Sequence, residues 1–203
     1  MANSTKIKLS PITNLTDARY AAAAGIEYMG FCFDPNSADF LLPIKAREIL
    51  EWTSGSHAIG EFGEQAADEI AELSDLLGMD VVLIQNSLLP DELPAIGKPI
   101  IKAINFDDMG PVEVANELCA YAPYADAFQL NGSKDISVRT DELIEICLQY
   151  KIVWNLPYSA SNVLEILQKF KPYSLAILAG NEEKTGMKEY DELNDLLALF
   201  NKG

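Results

Sequence analysis

Residues 6–35 read Lys6-Ile-Lys-Leu-Ser10-Pro-Ile-Thr-Asn-Leu-Thr-Asp-Ala-Arg-Tyr20-Ala-Ala-Ala-Ala-Gly25-Ile-Glu-Tyr-Met-Gly30-Phe-Cys-Phe-Asp-Pro35. Ile7 and Leu9 alternate with Lys8 and Ser10 until Pro11 breaks the run, which is the pattern of a short strand. Asn14 and Thr16 offer side-chain oxygens to cap a helix. The alanines from Ala21 to Ala24 favour a helix and let it lie close on a sheet, and Gly25 stands where a left-handed stop is wanted. Residues 26–33 then form a mostly apolar strand. A strand–helix–strand unit of this length predicts a right-handed crossover between parallel neighbours.

The same alternation continues along the chain. Pro43 opens a helix to about residue 52, with Ile44, Ala46, Ile49 and Leu50 facing inward, and residues 57–62 form a third strand. A helix over 64–77 ends at Gly78, and the continuously apolar Val81-Val82-Leu83-Ile84 suits a parallel strand buried on both faces. Residues 88–93 leave room for one or two helical turns before Pro94. Strands over 99–104, 125–130, 152–155 and 174–178 alternate with helices over 112–121, 143–150, 159–170 and 190–200. Eight strands and eight helices predict an α/β fold, a single (β/α)8 TIM barrel spanning 1–203 as one domain. The chain is short for that fold, which requires short loops and at least one stunted helix. A doubly wound open sheet is the alternative.

Composition narrows the function. The chain has 203 residues, 49% of them hydrophobic, and a net charge of −16. That charge opposes binding to nucleic acid or an anionic membrane, while a small anion remains compatible through backbone N–H groups at helix N-termini. No long apolar run or apolar leader is visible, so a cytoplasmic protein is expected. Cys32, Cys119 and Cys147 have no metal-binding spacing and are read as core residues, and His57 has no companion ligand nearby. No metal or cofactor is expected.

In a barrel of this kind the working residues lie at the C-terminal strand ends. There stand Ser10, Asp34, Phe62-Gly63-Glu64, Gln85-Asn86, Asn105-Phe106-Asp107, Asn131-Gly132, Asn155 and Ala179-Gly180-Asn181. The ring is rich in amides, hydroxyls and carboxylates and holds no Cys, His, Lys or Arg. It can hydrogen-bond a ligand, and Asp34, Glu64 and Asp107 are its candidate acid–base groups. Neither a Ser/His/Asp arrangement nor a phosphate-binding P-loop can be built from it.

The frame Lys8-Leu9-Ser10-Pro11-Ile12-Thr13-Asn14, with Asp17-Ala18 and Gly30-Phe31, resembles the opening of phosphoribosylanthranilate isomerases, which reads Lys-Ile-Cys-Gly-Ile-Thr-Asn. Further similarity lies in Asp34-Pro35-Asn36-Ser37, Ala46-Arg47-Glu48-Ile49, Lys102-Ala103-Ile104, Asp126-Ala127-Phe128, Asn162-Val163, Lys171-Pro172-Tyr173 and Gly186-Met187-Lys188. The resemblance spans nearly the whole chain. It implies a tryptophan-pathway isomerase carrying out an Amadori rearrangement, in which phosphoribosylanthranilate becomes a 1-deoxyribulose phosphate.

In that family a cysteine after the first strand is the general base and an aspartate after the sixth is the general acid. The matching positions here are Ser10 and Asn131. A serine hydroxyl is a poor base without an activating neighbour, and an amide cannot deliver a proton as a carboxylic acid does. The arginine that meets the anthranilate carboxylate falls at Asp39, and the paired glycines of the phosphate cradle fall at Leu156-Pro157, where proline has no N–H to give. At strand eight, Gly180 and Glu182 follow the family pattern, with Asn181 between them.

Three readings follow. The first is a diverged homologue with the isomerase activity lost or greatly reduced, binding a small phosphorylated or anionic metabolite or a protein partner. The second is a working isomerase with substituted acid and base. The third is a different sugar-phosphate enzyme on the same barrel. A monomer or a homodimer fits all three.

Overall fold

The computed structural model describes residues 5–85, 88–159, 161–179 and 191–200. Its strands are β1 (Lys6–Ser10), β2 (Tyr28–Cys32), β3 (His57–Phe62), β4 (Val81–Ile84), β5 (Ile100–Asn105), β6 (Ala127–Asn131), β7 (Ile152–Asn155) and β8 (Ser174–Leu178). They close into a barrel in sequence order. Every neighbouring pair is parallel, including β1 with β8. The helices between them are α1 (Leu15–Ala23), α2 (Pro43–Leu50), α3 (Ala67–Leu77), α4 (Pro111–Tyr121), α5 (Thr140–Gln149), α6 (Val163–Phe170) and α7 (Asp191–Phe200). The (β/α)8 barrel expected from the alternation is the observed fold, and the doubly wound sheet is not.

The opening unit forms for the reasons its residues suggest. Asn14 caps α1 by accepting from the Asp17 backbone N–H at 3.0 Å, and its own amide returns a bond to the Asp17 carboxylate at 2.9 Å. Gly25, at φ +72°, takes the left-handed turn after α1 that other residues adopt only with strain.

Several boundaries differ from the sequence reading. The connection from β4 to β5 is a 3-10 helix, Pro90–Ile96, that runs through Pro94. This is the stunted helix that a short chain requires; Pro94 has no N–H to give, and i→i−3 bonds from Glu92 N–H to Leu89 O and from Gly97 N–H to Pro94 O hold the two ends of the run. Helix α3 starts at Ala67 rather than residue 64, because the Gln65 side chain ties the loop by accepting from Gly63 N and donating to Phe33 O. Helix α6 starts at Val163 rather than at Ser159, whose N–H is taken by the side-chain Oδ1 of Asn162 in a preceding turn. Trp52 lies beyond α2 and is exposed. Cys119 is also exposed, on the solvent face of α4, so it is not a core residue as expected; Cys32 is buried.

Two apolar clusters divide along the pleat. Ala58 and Phe62, Ile100 and Ile104, Phe128 and Leu130, Ile152 and Trp154, and Leu175 and Ile177 belong to the larger cluster shared with the helices. The alternate residues Ile59, Leu83, Ile101, Ala103, Ala127, Val153 and Ala176 form a separate cluster inside the barrel. On β1 the helix-side set is Ile7 and Leu9, so Lys8 and Ser10 point inward. On β3 Glu61 shares the face of Ile59. The apolar packing that ordinarily fills such a barrel therefore gives way to polar side chains in its upper half.

Candidate functional site

Lys8, Glu61 and Gln129 are 2%, 7% and 6% exposed, so water solvates their polar ends far less than at a surface. They satisfy one another instead. Lys8 Nζ lies 2.8 Å from Glu61 Oε1 and donates to Gln129 Oε1 at 2.8 Å. Ser10 Oγ donates to the same Glu61 Oε1 at 2.6 Å. Gln129 Nε2 and Asn155 Nδ2 each donate to Asn131 Oδ1 at 2.8 Å. One continuous network thus joins β1, β3, β6 and β7 across the barrel interior. Removing an ion pair from water costs several kcal/mol per ion, which only close geometry and additional hydrogen bonds offset.

The network floors a cavity of about 250 Å3 lined by Ser10, Glu61, Gln129, Asn131 and Asn155, with Asp39 also on its wall. Gly30, across from Ser10 on β2, keeps the space open. A Cβ there would collide with the Glu61 carboxylate and lie 2.6 Å from Ser10 Oγ. The Cys32 thiol on the same wall is pushed upward from its ordinary pKa, chiefly by burial.

The positions singled out from the sequence fall into three groups. Ser10 and Asn131 share the cavity and are linked through Glu61, Lys8 and Gln129. Asp39 lines the cavity as well, at an exposed site on the loop after β2. Asp34, Glu64 and Asp107 do not line it. Asp34 is half-buried and accepts from the Asn36 N–H at 2.9 Å, and Glu64 is exposed. Asp107 accepts from the Ser133 N–H at 2.6 Å and the Lys134 N–H at 3.1 Å, and the first of these bonds chiefly holds its carboxyl below the usual range. It organises the loop after β6. Leu156 is buried and Pro157 exposed, while Gly180, Asn181 and Glu182 lie outside the described residues.

The nearby cations are also committed. Lys134 Nζ donates to Asp107 O, and Arg139 donates to Phe106 O and Met109 O while forming an ion pair with Glu142. Among the described residues no group of three His, Cys, Asp or Glu could hold a metal ion, and no helix is long and apolar enough to cross a membrane.

Strand-end reasoning missed Lys8, Glu61 and Gln129 because each sits one pleat or more inside its strand. The available signal was two opposite charges and an amide at interior strand positions, each flanked on both sides by apolar residues or glycine.

No protein-family model matches this chain. Full-length relatives do: the N-(5'-phosphoribosyl)anthranilate isomerase of Citrifermentans bemidjiense is 27% identical over 207 residues, covering 98% of each chain. The crystal structure of phosphoribosyl anthranilate isomerase from Thermus thermophilus superposes with a TM-score of 0.80 at 26% identity, covering 98% of this chain and 99% of that one. Over nearly its whole length the chain is thus similar, in sequence and in fold, to phosphoribosylanthranilate isomerases. A second family structure, at TM-score 0.79 and 20% identity over 98% of this chain and all of that one, holds reduced 1-(o-carboxyphenylamino)-1-deoxyribulose 5-phosphate. In this barrel the mouth combines hydroxyl, amide and carboxylate groups with the Lys8 ammonium and the Cys32 thiol.

Proposed function

We propose that the barrel mouth binds a small phosphorylated sugar derivative of the kind the isomerase family handles, and that rearrangement of phosphoribosylanthranilate itself is lost or greatly slowed. The observation that carries this reading is Asn131. Its carbonyl oxygen accepts from two amides, so the side chain sits in the middle of a hydrogen-bond array with no acidic proton to give. Loss of one general acid lowers turnover by about 10²–10⁴-fold. Asp39 on the cavity wall acts in the same direction, because it repels a carboxylated substrate. The reading places the protein in the cytoplasm.

A direct assay with freshly prepared phosphoribosylanthranilate, following loss of its fluorescence, tests this. The unmodified protein is expected to turn over at least 10²-fold more slowly than a family enzyme measured alongside. Ser10→Cys/Asn131→Asp is expected to recover part of the rate. Turnover at the family's rate by the unmodified protein overturns the proposal.

A second reading, a working isomerase with substituted acid and base, is favoured by the contact between Ser10 and Glu61. It puts a carboxylate beside the position where the family keeps its base.

A further inference from the structure

The cavity holds one committed cation, Lys8, and two carboxylates, Glu61 and Asp39. Glu61 is positioned with unusual care for a group that serves only packing. Among the described residues, both of its side-chain polar contacts fall on Oε1, one from Ser10 and one from Lys8. Both come from β1, and Gly30 provides the clearance in which they meet. The second oxygen, Oε2, is left without a side-chain partner among those residues, on a group that lines an open cavity. A carboxylate gripped through one oxygen and facing a pocket can accept a proton from a bound molecule.

We propose that Glu61 is the proton acceptor for an aldose-to-ketose rearrangement in this mouth, and that the substrate is an N-glycosylamine phosphate whose amine carries no acidic group. This rests on the proposed binding of a sugar phosphate. A glycosylamine opens in water to its chain form: the ring C1–O bond breaks, its electron pair stays on the oxygen, which takes a proton from water, and the nitrogen lone pair makes C1 an iminium beside the C2 hydroxyl. Glu61 takes the C2 proton; the C2–H electron pair becomes the C1=C2 bond, and the C1=N pair moves onto nitrogen. Glu61 then returns the proton to C1. The C1=C2 pair forms the new C–H bond, the C2 hydroxyl proton leaves to water, and C2 becomes the ketone. No oxidant, reductant or second substrate is consumed. Ser10 and Lys8 are positioning residues that aim the carboxylate. Asp39 selects the substrate: an anionic amine substituent is repelled there, while a neutral one is not.

The test compares two probes made from ribose 5-phosphate, one with anthranilate and one with aniline, which differ only in the carboxylate. NMR follows the ketose product, and saturation transfer reports binding. The aniline adduct is expected to rearrange at least tenfold faster than the anthranilate adduct, and Asp39→Arg is expected to reverse that order. Glu61→Asp keeps the charge facing Lys8 but withdraws the carboxylate by one methylene. It is expected to lower the rate by tenfold or more while circular dichroism shows the barrel still folded at the assay temperature, with Ser10→Ala costing less than Glu61→Asp. Binding of both adducts with no rearrangement, or an unchanged rate in Glu61→Asp, overturns the role of Glu61 while the binding proposal stands. An unchanged preference in Asp39→Arg overturns the selectivity. Absence of binding by either adduct overturns the sugar-phosphate reading and this proposal with it.

Discussion

Ser10 Oγ and Lys8 Nζ converge on the same oxygen of Glu61, at 2.6 and 2.8 Å. A hydroxyl on the first strand and a carboxylate on the third are therefore mechanically one unit, held by a lysine that is almost fully buried. Ser10 is in this protein a donor to a stronger acceptor, the Glu61 carboxylate.

Breaking the ion pair from one side is expected to be costly. Glu61→Gln leaves Lys8 charged and buried, and a loss of about 3–5 kcal/mol is expected. For a domain of this size that lowers Tm by roughly 6–20 °C. Lys8→Met/Glu61→Leu, which removes both charges and fills the volume, is expected to unfold within about 1 kcal/mol of the unmodified protein. Denaturant unfolding of the three proteins checks this; equal stability of Glu61→Gln would refute the burial of an intact pair.

Gly30→Ala places a methyl group between Ser10 and Glu61. Ser10 Cβ, only 2.7 Å from the new carbon, cannot swing away as a carboxylate end can. Overpacking of this kind costs about 1–3 kcal/mol, and any turnover in the mouth is expected to fall further than in Ser10→Ala. Thermal unfolding and the ketose assay measure the two effects separately.

The three thiols are expected to separate by reactivity. Cys119 is exposed, whereas burial pushes Cys147 up to about 12 and raises Cys32. At pH 8 a group with that value has about 10³-fold less thiolate than an ordinary cysteine near 8.5. One thiol is expected to react promptly with an aromatic disulfide, and Cys119→Ser is expected to abolish that phase. The other two should react only on unfolding.

Asp107 makes a small, signed contribution to acid stability. Its folded carboxyl lies below the unfolded value of about 3.9, so its stabilisation is present above that pH and lost as pH falls through the folded value. At so solvated a position the effect is under about 1 kcal/mol. Asp107→Asn is expected to flatten the stability profile below about pH 4 without moving it near pH 7. A steeper acid limb in the variant would contradict this.

Much of the barrel could be read from residues whose local chemistry leaves little choice. Asn14 and Gly25 bracket a helix between two short strands, and that unit repeats often enough to specify closure. The mouth was legible only where a polar residue ends a strand, as at Ser10, Asn131 and Asn155. Lys8 was hidden by its own alternation with Ile7 and Leu9. In an open sheet with one wet face, the polar member of such a pair looks outward. In a closed barrel jacketed by helices, the apolar members meet the helices and the polar one is turned to the centre. The helix starts of α3 and α6 were misplaced for a different reason: Gln65 and Asn162 satisfy loop backbone groups that a longer helix would otherwise have taken.

The register around β1 has a bearing on when this site comes into being. Five residue pairs join β1 to β8, and only two join it to β2. During synthesis the first strand therefore waits for its main neighbour until almost the entire chain has emerged, with more than 160 positions between Lys6 and Ser174. Lys8 reaches Gln129 across 121 positions in the same way. The strand that carries Lys8 and Ser10 is thus the keystone of the ring: a chain truncated before β8 leaves the β8-facing edge of that strand unpaired.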